Sequence, residues 1–418
     1  VIARSGGENP LRIALIAAFP FPLPQGSQIF VRDQAIALER AGARVTLFCY
    51  GRGNGDDPPG LSIVRTPRAL SPRRQRSGPS ASKPFADLAI AATFARACWR
   101  APFDVALAHN SEAALAALAA RPFCRVPVVY VAHTLMGVEL ETFVPGALRP
   151  LAEAAGRHLD RHLAAACDGA ISLSQEAHRT LAAATRGPLA LIPPGFDPNP
   201  APSPARIAAA CARYGLEPGG FVLYAGNLDP YQGLDRIAVA AKHLPDVPFI
   251  VATHAARPGP QNLRTLRLQH REEGRELTFG AGVCVLPRRA PGGFPIKLLN
   301  YMEAARPIVA HPLVAEGLIH DRSAWLLAAD SDGQALAAAL RMLLSDRSRA
   351  ARLGAEARRS LALRHGWTDL ARKTLEFASS VADQAIGSGR RRGKTSNAFD
   401  GPASHTEAMV EPVATSER

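Results

Sequence analysis

The fold class this sequence predicts is α/β, with two doubly wound parallel sheets, one per domain, facing a central cleft. Three observations carry it. At 418 residues the chain is too long for one ordinary core. From Leu11 onward, short apolar runs alternate with amphipathic helical stretches, and repeated strand–helix units build a parallel sheet covered on both faces. A proline-rich break, GFDPNPAPSPAR at 195–206, divides the pattern into two series.

In the first series LRIALIAAF reads as a buried strand, SQIFVRDQAIALERAG as a helix ended by Gly42, and ARVTLFCY as a second strand. FDVALAH (103–109) is a strand leading into the helical SEAALAALAA, and VPVVYVAH (126–133) is the next strand. Residues 147–167 read as helix, DGAISLS as strand, QEAHRTLAAAT as helix and PLALIPP as the last strand. The second series opens with a helix at 205–214 and the strand FVLYAG (221–226). It continues through the strand VPFIVAT, a single helix over RPGPQNLRTLRLQHREEGRELTFG (257–280) and the strand AGVCVLP. A helix from Pro295, the strand IVA after Arg306-Pro307, the strand AWLLA and helices at 332–345 and 347–364 complete it. The expected boundaries are a disordered N-terminus at 1–10, a first domain at 11–194, the linker at 195–206, a second domain at 207–384 and a disordered polar tail at 385–418.

Composition narrows the partners. The net charge is +13, concentrated in RTPRALSPRRQRSGPSASK (65–83) and RRRGK (390–394). Basic runs attract anionic lipid at about 1 kcal/mol per residue. Neither run is interleaved with aromatics, so nucleic acid is not an expected partner. Arg73, Arg74 and Arg76 are the expected patch toward an anionic membrane surface; a solvated loop is the plain alternative. No run of about 18 apolar residues is present and VIARSGGENP has no hydrophobic core, so the expected location is the cytoplasm, peripheral at the inner face of its membrane. The six cysteines, Cys49, Cys98, Cys124, Cys167, Cys211 and Cys284, lack CxxC spacing and read as buried free thiols. No metal-ligand cluster, HExxH or GxSxG is present; GSGRRRGKTS (387–396) and GRGNG (51–55) lack the strand–loop–helix context of a phosphate-binding loop.

In doubly wound folds, ligands bind beyond the carboxyl ends of the strands. Four segments occupy such positions. Gly26 and Ser27 in PLPQGSQIF open a helix whose N–H groups could hold a phosphate or hydroxyl, or Ser27 simply caps it. His109-Asn110 and His133-Thr134 each follow a buried strand, where a histidine is either a packed structural group or a hydrogen-bonding one. The fourth is PRRAPGGFPIKLLNYMEAARPIVA, with Arg288, Arg289, Gly292, Gly293, Phe294, Pro295, Ile296, Lys297 and Asn300. Pro295 suits the first helical position, and Lys297 and Asn300 share one helical face. A lysine in the first turn opposes the helix dipole unless an anion joins it.

With QGSQIFVRDQAIALERAGARVTLFCYG, FDVALAHN, VPVVYVAHTLM, FVLYAGNLDPYQGLDRI and GGFPIKLLNYMEAARPIVA in this order, the chain resembles the retaining GT-B glycosyltransferases of family 4, the group 1 glycosyltransferases, over residues 11–380. The resemblance implies two Rossmann-like domains, a nucleotide diphosphate sugar as co-substrate held by the second domain, and an acceptor, lipid-linked or polysaccharide, on the first. It implies no metal and no cofactor, and stabilisation of the departing phosphate as the main catalytic term. By resemblance Asn227 and Gln232 stand where the family carries an arginine and a lysine for the pyrophosphate, and Gly292 and Asn300 where it carries two glutamates. Two missing cations are worth roughly 3 to 6 kcal/mol, a hundredfold to ten-thousandfold in affinity. Arg288, Arg289 and Lys297 are expected to rebuild the positive site, with Lys297 and Arg288 on the leaving phosphate, Asn300 on a hydroxyl and His133 on the donor sugar or its phosphate. His109, Asn110, Gly26 and Ser27 fall on the acceptor side. The rival reading is a non-catalytic GT-B scaffold that binds glycan. The alanine- and arginine-rich composition suggests a bacterial source.

Overall fold

The computed structural model describes residues 10–23, 25–72, 83–253, 260–268, 270–289 and 293–396. The first domain runs β1 (Arg12–Pro20), α1 (Gly26–Arg40), β2 (Arg44–Tyr50), β3 (Ser62–Arg65), α2 (Lys83–Arg100), β4 (Val105–His109), α3 (Asn110–Ala120), β5 (Val128–Ala132), α4 (Met136–Glu139), α5 (Arg149–Ala166), β6 (Gly169–Ser172), α6 (Gln175–Ala182) and β7 (Leu189–Leu191). Its strands are all parallel, in the order β3-β2-β1-β4-β5-β6-β7. Strands β1, β4 and β5 are apolar along almost their whole length because helices cover both faces.

The second domain runs α7 (Pro204–Ala212), β8 (Val222–Ala225), α8 (Leu234–His243), β9 (Phe249–Thr253), β10 (Leu263–Arg267), α9 (Arg271–Gly280), β11 (Val283–Leu286), α10 (Lys297–Glu303), β12 (Ile308–Ala310), β13 (Trp325–Leu326), α11 (Gly333–Ser345), α12 (Arg347–Arg364) and α13 (Trp367–Ser396). Its parallel sheet has the order β10-β9-β8-β11-β12-β13. In both sheets the order reverses beside the first strand of the series, the switch point at which such folds open a ligand crevice.

Three parts differ from the expected elements. Residues 257–280 were expected as one helix; the described part divides into β10 and α9. LRTLR adds to the edge of β9 in register, and Asn262 Nδ2 donates to the carbonyls of Ala241, Leu244 and Val247, which fixes the turn before it. The edge strand β3 and helix α2 lie in a stretch where proline, glycine and arginine hide the periodicity. Helix α13 runs past residue 384 to Ser396, through the glycine- and arginine-rich run expected as a disordered tail. The Arg73, Arg74 and Arg76 patch lies outside the described residues.

The domains are joined by the linker and by α13. Trp367 stacks on Phe30 of α1 at 5.8 Å between centroids, and Ala371, Ala378 and Val381 continue the buried stripe. Phe196 N donates to His365 O at 2.6 Å, and His365 Nδ1 meets Pro194 O at 2.8 Å, so the linker is bonded to the turn before α13. Gly195 is required there, since a Cβ would overlap the Trp367 ring.

Candidate active site in the interdomain cleft

The segments after the strands of the two sheets meet. Gly293 (φ 120°) packs so closely on the first domain that a Cβ would overlap the His133 carbonyl oxygen, and a Cβ on Gly26 would lie 3.5 Å from Ile296. Gly293 and Ile296 thus lie at the seam, with Phe294 and Pro295 between them in the chain, while Gly292 lies outside the described residues. Helix α10 begins at Lys297 with Ile296 as its cap, so Pro295 stands before the first position expected for it, its carbonyl receiving Leu298 N at 2.8 Å.

The second domain's bank gathers around Lys297. Its side chain turns to the end of β8, donating from Nζ to Tyr224 Oη at 2.7 Å and to Gln232 Oε1 at 3.1 Å, with Nζ 4.1 Å from the Tyr224 ring centroid. Burial, with the nearby Arg288 charge, lowers the ammonium to about 7, and Asp229 opposes the shift. Arg288 is buried, donates to Gly293 O at 3.3 Å and lies 5.3 Å from the Tyr231 ring. Arg236 of α8 donates to Pro287 O at 2.6 Å, and burial, with the Arg289 charge, lowers its pKa. Four cations therefore converge on the ends of β8 and β11. Arg236 was not singled out from the sequence; its place four residues after Gln232, one helical turn on, is the signal that could have found it.

Of the amides, Gln232 is buried and spends its oxygen on Lys297, whereas Asn227 is exposed and donates to Asp229. Asn300 is exposed on α10. Gln232 is thus an acceptor that holds the Lys297 cation in place.

His109 and His133 are brought together: His109 Nδ1 and His133 Nε2 are 2.9 Å apart, edge-on to Phe30. Burial keeps both neutral, His133 at about 3 and His109 well below its ordinary value. His109 is fully enclosed and holds the His133 ring, so the residue it can orient is His133. Asn110, half-buried, opens α3 with φ 74°, and Gly26 and Ser27 open α1 with Gln25 in the cap position.

The first domain's bank is acidic, a feature sequence reading did not single out. Tyr50 Oη donates to Asp87 Oδ1 at 2.5 Å, and Lys83 Nζ lies 3.2 Å from Glu112 Oε1. Burial raises Asp87 to about 6 and Glu139 to about 7; Glu112 and Asp229 push Glu139 further up and Lys83 opposes them. These carboxylates come from α2, α3 and α4, separated in sequence by intervals that carry no motif.

Comparison with known proteins follows the same division. A family model described as Glycosyltransferase Family 4 matches residues 24–200, and one described as Glycosyl transferases group 1 matches residues 220–346. A D-inositol 3-phosphate glycosyltransferase from Xylanimonas cellulosilytica is 26% identical over 417 residues, covering 88% of this chain and 97% of that one. Sucrose-phosphate synthase from Thermosynechococcus elongatus has TM-score 0.73 at 18% identity, covering 89% of this chain and 99% of that one. Anabaena HepE in complex with UDP and glucose has TM-score 0.69 at 17% identity, covering 88% and 100%.

Proposed function

This chain belongs to the glycosyltransferases of family 4, group 1, and from that premise we propose that it transfers a sugar, with retained anomeric configuration, from a nucleotide diphosphate donor to a lipid-linked or polysaccharide acceptor. The observation that carries the reading is Lys297, a cation held at the cleft by Tyr224 and Gln232. Burial, with the Arg288 charge beside it, lowers its pKa, and Asp229 offsets only part of that shift. A diphosphate bound there would supply the missing charge. Arg288, with Arg289 and Arg236 beside it, would stabilise the charge that builds on the leaving phosphate. The complex of HepE with UDP and glucose supports the same donor class.

His133, neutral and oriented by His109, can donate or accept one hydrogen bond, which suits a sugar hydroxyl better than a phosphate charge. Asn300 is assigned to a donor hydroxyl. The basic run at 65–83 would draw the acceptor domain to an anionic inner leaflet; among the described residues no helix is long and apolar enough to cross a membrane.

The test is to incubate the protein with UDP-, GDP- and ADP-sugars and a panel of lipid-linked sugar and glycan acceptors, following nucleotide release and the anomeric proton of the product by NMR. Release of one nucleoside diphosphate with an α-linked product from an α-linked donor is the expected result. An inverted product would contradict retention, and no release from any donor would favour a glycan-binding scaffold.

A further inference from the structure

The carboxylates of the first domain pose a question the donor site leaves open. Glu139 ends the short helix α4, which is built to stay in one place. Asp160 of α5, itself buried, accepts from the backbone N–H groups of Met136 and Gly137, each at 2.9 Å. Gly156 permits the contact, because a Cβ there would overlap the Met136 carbonyl. Among the described residues the Glu139 side chain has no hydrogen-bond or ion-pair partner, although it is half-buried. Tyr130 of β5 is a second such group: it is fully buried, its hydroxyl lacks a partner among the described residues, and it feels the charges of Asp160, Glu112 and Glu139.

The charged groups felt at Glu139 come from every side. Glu112 of α3, Asp160 of α5 and Asp229 after β8 are negative; Lys83 of α2 is positive but already paired with Glu112; Arg288 after β11 lies across the cleft. An ionised carboxylate accepts hydrogen bonds only, from O–H or N–H groups, and it repels a phosphate. A carboxylate on an anchored helix, with no partner among the described residues and with Glu112, Asp160 and Asp229 acting on it, therefore selects against an anion.

We propose that Glu139 determines acceptor specificity: its carboxylate receives a hydroxyl or ammonium of the acceptor, which presents at this point an uncharged or amino-bearing polyol rather than a phosphate. The inference rests on the first domain being the acceptor side. It separates this chain from the relative whose name specifies D-inositol 3-phosphate.

The test uses the full chain and its Glu139→Gln variant, a substitution of nearly equal shape at a side chain with no hydrogen bond or ion pair among the described residues. UDP, GDP and ADP titrations read the donor side alone; failure of all three to bind would overturn the donor assignment and leave the acceptor test standing. D-inositol 3-phosphate, titrated without donor and followed by phosphorus NMR, reads the acceptor side. At pH 8 the wild type is expected not to saturate below about 1 mM, and Glu139→Gln to bind at least about tenfold more tightly, the difference closing near pH 5.5 as Glu139 takes up a proton. Saturation of the wild type below about 0.1 mM, or a variant no tighter than wild type at pH 8, would overturn the proposal.

Discussion

The two banks of the cleft are built by the same device and charged oppositely. Each lies beyond the carboxyl ends of a parallel sheet, where helices start and backbone must turn. On the second domain Lys297, Arg288, Arg289 and Arg236 converge, with Asp229 opposing the shift of Lys297 and Asp235 that of Arg236. On the first domain Glu139, Glu112 and Asp87 gather, with Lys83 their nearest base. The difference teaches that fold supplies the place and side chains the ligand: a polyanion suits one bank and is repelled by the other. A donor diphosphate and a phosphate-free acceptor group would then each have one side on which to sit.

The sharpest way to break this contrast is to empty the basic bank. Arg288→Ala with Lys297→Ala should weaken nucleotide diphosphate binding by about a hundredfold to ten-thousandfold, since each charge-assisted bond is worth about 1.5 to 3 kcal/mol. Isothermal titration checks it; a loss under about fivefold would place the phosphates elsewhere. Lys297→Ala alone should lower turnover at least about tenfold. Gly293→Ala separates the banks instead of discharging one: the methyl would strike the His133 carbonyl at a backbone angle that favours glycine. Overpacking costs about 1 to 3 kcal/mol, and here it should fall on domain closure, lowering kcat/KM while melting temperature changes little.

The burial of the basic bank also acts on stability. Lys297 is lowered to about 7 in the folded chain and is near 10.4 unfolded, so between these values the unfolded chain holds the extra proton. Stability from this group therefore rises with pH from about 7 to about 10. Lys297→Met should remove that rise in denaturant titrations across the window, and an unchanged slope would show that the ammonium is not desolvated.

The sheets were legible because fully buried strands such as ALIAAF and VVYVA leave an unbroken apolar run, and Lys297 because a cation at a helix start after two glycines needs a reason. The acidic bank was not legible. Glu139, Glu112 and Asp87 each look like an ordinary surface acid in sequence, and only the packing of α2, α3 and α4 onto one sheet end brings them together. The histidine pair shows the intermediate case: two strand-end histidines were visible, but that one is enclosed and orients the other follows from the register of β4 beside β5. The division of 257–280 into strand and helix depended on Asn262 binding three carbonyls distant in sequence.

The most direct measurement is the affinity of UDP, GDP and ADP for wild type and Lys297→Ala at pH 6 and pH 9. One nucleotide should bind to the wild type, more tightly at pH 6 because Lys297 is then charged before the phosphate arrives, and Lys297→Ala should lose at least about tenfold at pH 6 with a flatter pH dependence. No binding of any nucleotide, or equal affinities in wild type and variant at both pH values, would contradict Lys297 as the anchor of the donor diphosphate.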